Sequence, residues 1–444
     1  MTLSLACLVL LAAAYLTIRG WDVRLVLICA GLILGLLVGQ PQPIVRDFFN
    51  TFSSEKFVIP ICSAMGFAYV LKHTGCDQHL VLLLMKPIRR VRFLLVPGVV
   101  TVGFLVNIPV LSQTSVAVCL GAVVVPLMRG AGFHPLTIGS ALLLGASVGG
   151  ELFNPGAPEL NSVKEKTGTD PMLLARFHLP WVVVPMFVVS TVVFWVQSVW
   201  LERRAVAVTV EPVVMTTTEP LNIFKALVPV VPLVLLFLSG PPLNVLNIPA
   251  DWLAVDGEVP KAGKLIGGRM VGLAMLVGLI AAALASPRKA GGCLKAFFEG
   301  AGYAFTQVIS LIVAAVCFGT GLTVVGLAGQ LGQLMSSFPQ ALVPLAIFVP
   351  WLFAMLSGSG MASTASLFGT FHQPAVDAGL NPDDVGALVS VGSAAGRTMS
   401  PVAAVSLMCS KLTDSTPWQL VARVAVPLVA GLVAVLVLRL RGLV

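Results

Sequence analysis

The sequence predicts an all-α polytopic membrane protein built from two inverted repeats, each with about five transmembrane helices and one re-entrant hairpin, with two broken helices in the whole. Three observations predict it. Of 444 residues, 57% are hydrophobic and only 10% are charged, with a mean hydropathy of +0.98; a soluble domain is roughly 45–50% apolar. Apolar runs of about 16 to 22 residues recur from end to end, each long enough for a spanning helix. Finally, parts of the second half repeat the first at a nearly constant offset.

The apolar runs are continuous rather than alternating, so helices are indicated and a β-barrel is not. The first, LSLACLVLLAAAYLTI, has neither a basic flank before it nor a small-residue cleavage site, and reads as a retained helix. Spans are expected at about 3–18, 24–39, 57–71, 93–111, 116–129, 136–160 and 180–200. A second set follows at about 223–239, 268–286, 300–326, 341–356, 361–376, 384–410 and 420–438. The organisation is therefore a first transmembrane repeat at 1–201, a cytoplasmic linker at 202–222 containing the polar run ERRAVAVTVEPVVMTTTEP, and a second repeat at 223–444.

The two halves are related in sequence. AGFHP at 131–135 matches AGLNP at 378–382, and GASVGG at 145–150 matches GSAAGR at 392–397, both displaced by the same number of positions. Pro155 pairs with Pro401 and Pro171 with Pro417 after a one-residue slip, and Arg176 and Pro180 return to register with Arg423 and Pro427. Such regularity indicates an internal duplication.

Upstream of each turn, two short apolar segments flank a small polar cluster: VNIPVLSQTSVAV in the first half and AMLSGSGMASTASL in the second. Glycines and hydroxyls between half-length segments suit the tip of a re-entrant hairpin, and two ordinary helices in series is the rival reading. With one hairpin per half, each half crosses five times, which inverts the second half relative to the first. The basic residues set the orientation. Lys72, Lys86, Arg89, Arg90 and Arg92 place the 72–92 loop in the cytoplasm, together with Arg203, Arg204, Arg288, Lys289 and Lys295, while the 327–341 loop has no Lys or Arg and falls outside. Both termini are then external.

The net charge of +8 reports this topology rather than nucleic-acid binding, because the basic residues lie in short loops and not in one stripe with interleaved aromatics. The eight cysteines stand singly inside apolar runs, without CxxC or Cys/His spacing, so neither a disulfide framework nor a metal site is expected. No nucleophile, base and oxyanion set stands out, so the chain does not read as an enzyme. No phosphate-binding GxxxxGK[ST] is present, which argues against an ATP-driven pump.

Backbone that leaves a helix inside a bilayer must be shielded by protein or line a watery cavity, because each unpaired group costs about 4–8 kcal/mol on water-to-cyclohexane scales. The broken segments therefore mark the expected site: the tips SQTS (112–115) and SGSGMAST (357–364), and the breaks GGELFNPG (149–156) and GRTMSPV (396–402). The candidate substrate-binding residues are Ser112, Gln113, Thr114, Ser115, Asn154, Ser357, Gly358, Ser359, Gly360, Ser363, Arg397, Thr398 and Ser400. Half-helix N-termini and hydroxyls suit a small anion; the competing reading of each hydroxyl is a bond to a carbonyl of its own helix. Arg397 at mid-membrane depth requires a partner or a cavity, and its planar fork suits a carboxylate. Aligned on the prolines, Glu151 stands opposite Arg397. Either Arg397 holds a substrate carboxylate while Glu151 is a proton or cation site, or the two form a permanent ion pair. No cofactor is expected beyond a possible Na+ or H+ as coupling ion. His134 and His372 read as interface residues.

The stretch from AGLNPDD through GRTMSPVAAV to TPWQLVARVAVPLVAGL resembles the anaerobic C4-dicarboxylate carriers of the DcuC family in its Gly-x-Asn-Pro turn, its GRTxSPV break and its entry into the last helix. Ser357, Gly358, Ser359, Gly360, Gly396, Arg397, Thr398, Ser400 and Pro401 match the family's motif regions. The first half departs from it: SQTS replaces a Ser/Thr-Gly cluster, and Glu151 lies where the family's break is apolar and hydroxylic. The resemblance implies an ion-transporter fold, usually a homodimer, in a bacterial inner membrane. It implies exchange or efflux of succinate, fumarate or malate by alternating access. A sodium- or proton-coupled carrier of another organic anion or amino acid is the alternative, and an anion channel a more distant one.

Overall fold

The computed structural model describes residues 21–86, 94–204, 221–239, 245–246, 248–254, 266–326 and 339–442, with scattered positions between 5 and 19, and among these it contains helices and no strands. Helices α1 (Val23–Leu37), α2 (Gln42–Phe52), α3 (Glu55–Thr74) and α4 (Cys76–Met85) lead to a pair that turns back at 108–112, α5 (Leu95–Asn107) and α6 (Gln113–Gly130). Then α7 (Pro135–Ser147) and α8 (Pro158–Thr167) flank a break, and α9 (Pro180–Arg204) follows. The second half begins with α10 (Ile223–Leu227), α11 (Val231–Ser239) and α12 (Ile266–Ala285). Next, α13 (Cys293–Ala304) joins α14 (Ser310–Val324) through a π-helical turn, Phe305–Ile309. A second pair, α15 (Pro339–Ser357) and α16 (Gly360–Asp377), precedes α17 (Pro382–Thr398), a break, α18 (Ala404–Leu412) and α19 (Pro417–Leu440).

Among the described residues six helical segments are long and apolar enough to cross a membrane, and the bent α6 would make a seventh. Their burial separates centre from periphery. In the most apolar window of Pro135–Thr167, 89% of residues are buried, against 28% in Gly268–Ala285, so the broken segment is the core and α12 lies at the periphery. Every residue from Thr137 to Ser147 in α7 and from Val385 to Thr398 in α17 is buried.

The two AG-x-x-P turns fold alike, for reasons visible in the residues. Gly132 (φ 78°) and Gly379 (φ 70°) take the left-handed conformation that ends the preceding helix. Phe133 N–H then donates to Met128 O at 3.0 Å, and Leu380 N–H to Ala375 O at 2.9 Å. The next residue caps the new helix: His134 accepts from Leu136 N–H and Asn381 from Asp383 N–H. Proline follows at the first helical position, where its missing N–H costs nothing. Beyond the turns, a Cβ on Gly145 would lie 3.1 Å from Val100 O, and one on Gly392 only 2.2 Å from Ile347 O, so α5 rides directly on α7, and α15 on α17.

The ends of the broken segments cross over. Arg129, just before α7, bonds Asp414, just after α18, at 3.0 Å. Thr169, just after α8, bonds Asp383 at the start of α17 at 2.8 Å. The path α7–α8 therefore runs antiparallel to α17–α18.

Two expectations need correction. The segment 72–92, read as a cytoplasmic loop, contains helix α4: Gly75 (φ 79°) closes α3 and starts α4 at once, and Asp77, His79, Leu80, Val81 and Met85 are buried. A ten-residue apolar run is too short to register as a span, yet packs well against α10 and α6. Residues 42–52, between two expected spans, form the amphipathic α2. Helix α9 continues to Arg204; most of the expected linker, 205–220, lies outside the described residues, as do Arg89, Arg90, Arg92 and most of the 327–341 loop.

Candidate functional site

Both hairpin tips are helix starts capped by serine. Ser112 Oγ accepts from Ser115 N–H (3.3 Å) and Ser115 Oγ (2.9 Å) and lies 3.1 Å from Thr114 Oγ1. At the second tip Gly358 (φ 73°) reverses the chain, Ser359 Oγ accepts from Ala362 N–H (3.2 Å), and Ser357 Oγ accepts from Ser359 N–H (3.3 Å). The two breaks differ from the tips. Gly149 (φ 106°) ends α7 and a short 3-10 turn, Gly150–Phe153, precedes α8. Neither α8 nor α18 has a side-chain cap, so their first-turn N–H groups remain available as donors with the partial positive charge of a helix N-terminus.

Between the breaks lies a buried three-charge cluster. Arg397 is 4% exposed, and Glu151 and Glu159 are each 1% exposed. The guanidinium is engaged at every nitrogen. Nη2 pairs with Glu151 Oε1 and donates to Ser147 O at 3.2 Å; Nη1 reaches Glu159 Oε1 at 3.4 Å; Nε reaches Ser147 Oγ at 3.3 Å. The second oxygen of each glutamate, Glu151 Oε2 and Glu159 Oε2, is buried and has no hydrogen-bond partner among the described residues. Glu151 is further fixed through its backbone N–H, which donates to Asn107 Oδ1 at the end of α5 (3.3 Å).

A cavity of about 220 Å³ opens at this cluster, walled by both tips and both breaks. Of the residues expected from sequence, Ser112, Gln113, Thr114, Glu151, Gly358, Ser359 and Arg397 line it. The others stand behind the wall. Asn154 staples the first break, donating to Ile108 O (2.9 Å) and accepting from Gly156 N–H (2.9 Å). Thr398 Oγ1 donates toward Ser147 O at 2.7 Å. Ser363 donates to Pro350 O (2.8 Å) and accepts from Ser393 Oγ (2.9 Å), tying α16 to α15 and α17. Ser115 and Ser357 serve the caps described above. Gly360 leaves room for the guanidinium, since a Cβ there would lie 3.2 Å from Arg397 Nη1. Ser400 Oγ is buried without a partner among the described residues.

Sequence reasoning gave no role to Glu159, Ser147, Tyr303 or Gln307. Glu159 was within reach, because it sits in the same Gly/Pro-rich stretch as Glu151 and directly follows Pro158, which starts α8. Tyr303 enters from the last turn of α13 and Gln307 from the π-helical turn that follows it, a feature common at functional sites that an apolar helix sequence does not announce.

A second cavity, about 420 Å³, contains Asp47, Glu165, Lys166, Thr320 and His372. It lies one helical turn further along the same helices: Ile61 gives way to Phe57 on α3, Glu159 to Ser162 on α8, Leu311 to Ala315 on α14, and Met361 to Ala365 on α16. The two spaces are thus stacked end to end.

Comparison with known proteins agrees with this architecture. The chain superposes on the YdaH transporter of Alcanivorax borkumensis with a TM-score of 0.54 at 18% identity, covering 90% of this chain and 88% of that one. It superposes on MtrF of Neisseria gonorrhoeae, described as illuminating a class of antimetabolite efflux pumps, with a TM-score of 0.58 at 14% identity over 89% and 83% of the two chains. In sequence it is 26% identical over 390 residues to the anaerobic C4-dicarboxylate transporter DcuC of Escherichia coli K12, covering 84% of this chain and 78% of that one. It is 23% identical to a probable anaerobic C4-dicarboxylate transporter DcuC of Vibrio cholerae, over 98% and 96% of the two. The signature of the C4-dicarboxylate anaerobic carriers matches residues 57–441. The protein is a multi-pass bacterial inner-membrane transporter, and the chain belongs to the DcuC family of C4-dicarboxylate anaerobic carriers.

Proposed function

We propose that the protein carries C4-dicarboxylates such as succinate, fumarate or malate by exchange or efflux with alternating access. The observation that carries this reading is a small cavity bounded by both tips and both breaks around Arg397. Its roughly 220 Å³ falls below the about 300–1,000 Å³ of pockets for drug-sized ligands, as a four-carbon acid requires. Arg397 offers a planar fork for one carboxylate, and the uncapped N-termini of α8 and α18 offer N–H donors for the other.

Alternating access rests on two inverted repeats, 1–201 and 223–444, whose α5–α8 and α15–α18 follow one order of elements. The antiparallel broken segments support the inversion. The side bearing Arg129, Lys411 and Arg423 is then cytoplasmic and the side bearing Asp47, Lys166 and Asp383 external, so the stacked cavities open outward. A homodimer is the assembly we expect by analogy with the family.

The test is counterflow of labelled succinate in proteoliposomes against a panel of unlabelled acids. Saturable exchange that is stimulated by trans C4-dicarboxylates, and lost in Arg397→Ala, is the expected result. Succinate counterflow that survives Arg397→Ala would sink the role given to the guanidinium, and flux without trans-stimulation would indicate a channel.

A further inference from the structure

We propose that Glu159 is the coupling carboxylate of this carrier: it takes a proton to release Arg397 for the substrate, while Glu151 remains the standing partner of the guanidinium. The inference rests on the carrier reading above and assigns the coupling step within the same site.

The starting point is charge. Among the described residues, Arg397, Glu151 and Glu159 are the cavity wall's arginine and acids, and the wall shows no lysine or histidine. With both glutamates ionised the wall carries one net negative charge, and all three guanidinium nitrogens are occupied. A substrate carboxylate meets a repulsive wall and an arginine with only the second N–H of Nη1 to spare, too few for a two-bond fork. Adding one proton to a glutamate removes both obstacles together, because it neutralises the wall and frees a nitrogen.

Geometry selects which glutamate. Glu151 is pinned twice, by its close pairing with Nη2 and by the bond from its N–H to Asn107. Glu159 has one contact with the arginine, at 3.4 Å, longer than the about 2.7–2.9 Å of a charge-assisted bond, and its Oε2 is buried without a partner. Glu159 is also nearer the outer cavity, whose wall includes Ser162 one turn along the same helix. Seen from Glu159, the charged and titratable groups are Arg397 on α17, Glu151 in the first break and, across the cavity, Tyr303 on α13. Helices α3, α14 and α16 show the cavity neutral side chains, while Asp47, Glu165, Lys166 and His372 belong to the outer space.

The step is a proton transfer only. A proton leaves water in the outer cavity and forms an O–H bond at Glu159 Oε2. Oε1 then loses its attraction for Nη1, which turns to the incoming carboxylate. Once the site opens to the other face, the proton returns to water there and Glu159 reclaims Nη1 as the substrate leaves.

Two measurements test this. In proteoliposomes, uptake of labelled succinate is compared with and without an imposed inward proton gradient. The wild type should gain tenfold or more from the gradient. Glu159→Gln should lose that gain whatever its absolute rate, and Glu159→Asp should keep it with a displaced pH midpoint. A Gln variant that retains the full response, or an Asp variant with an unmoved midpoint, overturns the assignment. The second measurement needs no substrate: pH-difference infrared spectra of the purified protein in lipid. A titrating protonated-carboxyl band present in wild type and Glu151→Gln but absent in Glu159→Gln supports the proposal. A band lost only in Glu151→Gln overturns it. Wild type that shows the Glu159 band but moves no succinate overturns the substrate reading, and supports the titration of Glu159 on its own.

Discussion

Removing the Arg397 guanidinium should destabilise the protein far more than removing the whole charge cluster. In Arg397→Ala, Glu151 and Glu159 lose their shared cation while each remains 1% exposed, and Ser147 O loses one donor while keeping Thr398 Oγ1. Breaking a buried pair by deleting one partner costs about 3–5 kcal/mol, because the surviving charge is left uncompensated. Two surviving carboxylates put this site at the upper end. On a large chain that corresponds to a fall in Tm of roughly 5–10 °C. In the triple variant Arg397→Ala, Glu151→Gln, Glu159→Gln the uncompensated charges are gone and only amide hydrogen bonds are short, each worth about 1–3 kcal/mol when a buried group is left unsatisfied. It should recover about half of the loss. The assay is thermal unfolding in detergent at fixed pH, followed by intrinsic tryptophan fluorescence. An Arg397→Ala protein as stable as wild type, or a triple variant less stable than Arg397→Ala, would refute the argument that the cluster is one mutually dependent unit.

Three further outcomes are expected. In a cysteine-free background, Ala365→Cys and Thr370→Cys in the outer cavity should react with a membrane-impermeant maleimide added to intact cells, whereas Asp414→Cys, on the opposite side, should react only after permeabilisation; the reverse pattern would invert the topology. Gly392→Val should prevent stable folding, since even a Cβ would sit 2.2 Å from Ile347 O, while Gly291→Ala, with nothing within 4 Å, should leave Tm within about 1 °C of wild type. The Asp384 carboxylate, bonded at 2.7 Å to His178 Nδ1, raises the His178 pKa. A raised native pKa makes this contribution to stability complete below about pH 6.5, the value of a free histidine, and removes it as pH climbs through the native value. Wild type should therefore lose more Tm than His178→Asn between pH 6 and pH 9, and equal losses would exclude the contact as a source of stability.

Much of this architecture was legible in the sequence because the residues that interrupt a helix in a bilayer are few and chemically obvious. Proline at 135 and 382, glycine at 132 and 379 and the serine-rich tips fixed where helices start and stop, and the structure begins and ends its elements within a few residues of those marks. The short α4 and α2 were not legible for the converse reason. Hydropathy detects a segment by its length in hydrocarbon, and a ten-residue helix held by its neighbours never reaches that length.

The site was legible in position and less so in chemistry, and the two glutamates show why. Both lie in one twelve-residue stretch, GGELFNPGAPEL, and the repeat alignment singled out Glu151 because it falls opposite Arg397. That alignment compares positions along two chains and says nothing about which way a side chain turns after a break. Gly149 at φ 106° and the 3-10 turn set that direction, and they bring Glu159, eight positions later, back to the same guanidinium from its other side. Symmetry gives Arg397 one partner; the irregular backbone gives it a second. The second partner makes the site uneven in charge, with two carboxylates to one guanidinium, and this is the imbalance that the proposed protonation of Glu159 relieves. The departure from duplicated symmetry is where a coupling step can reside.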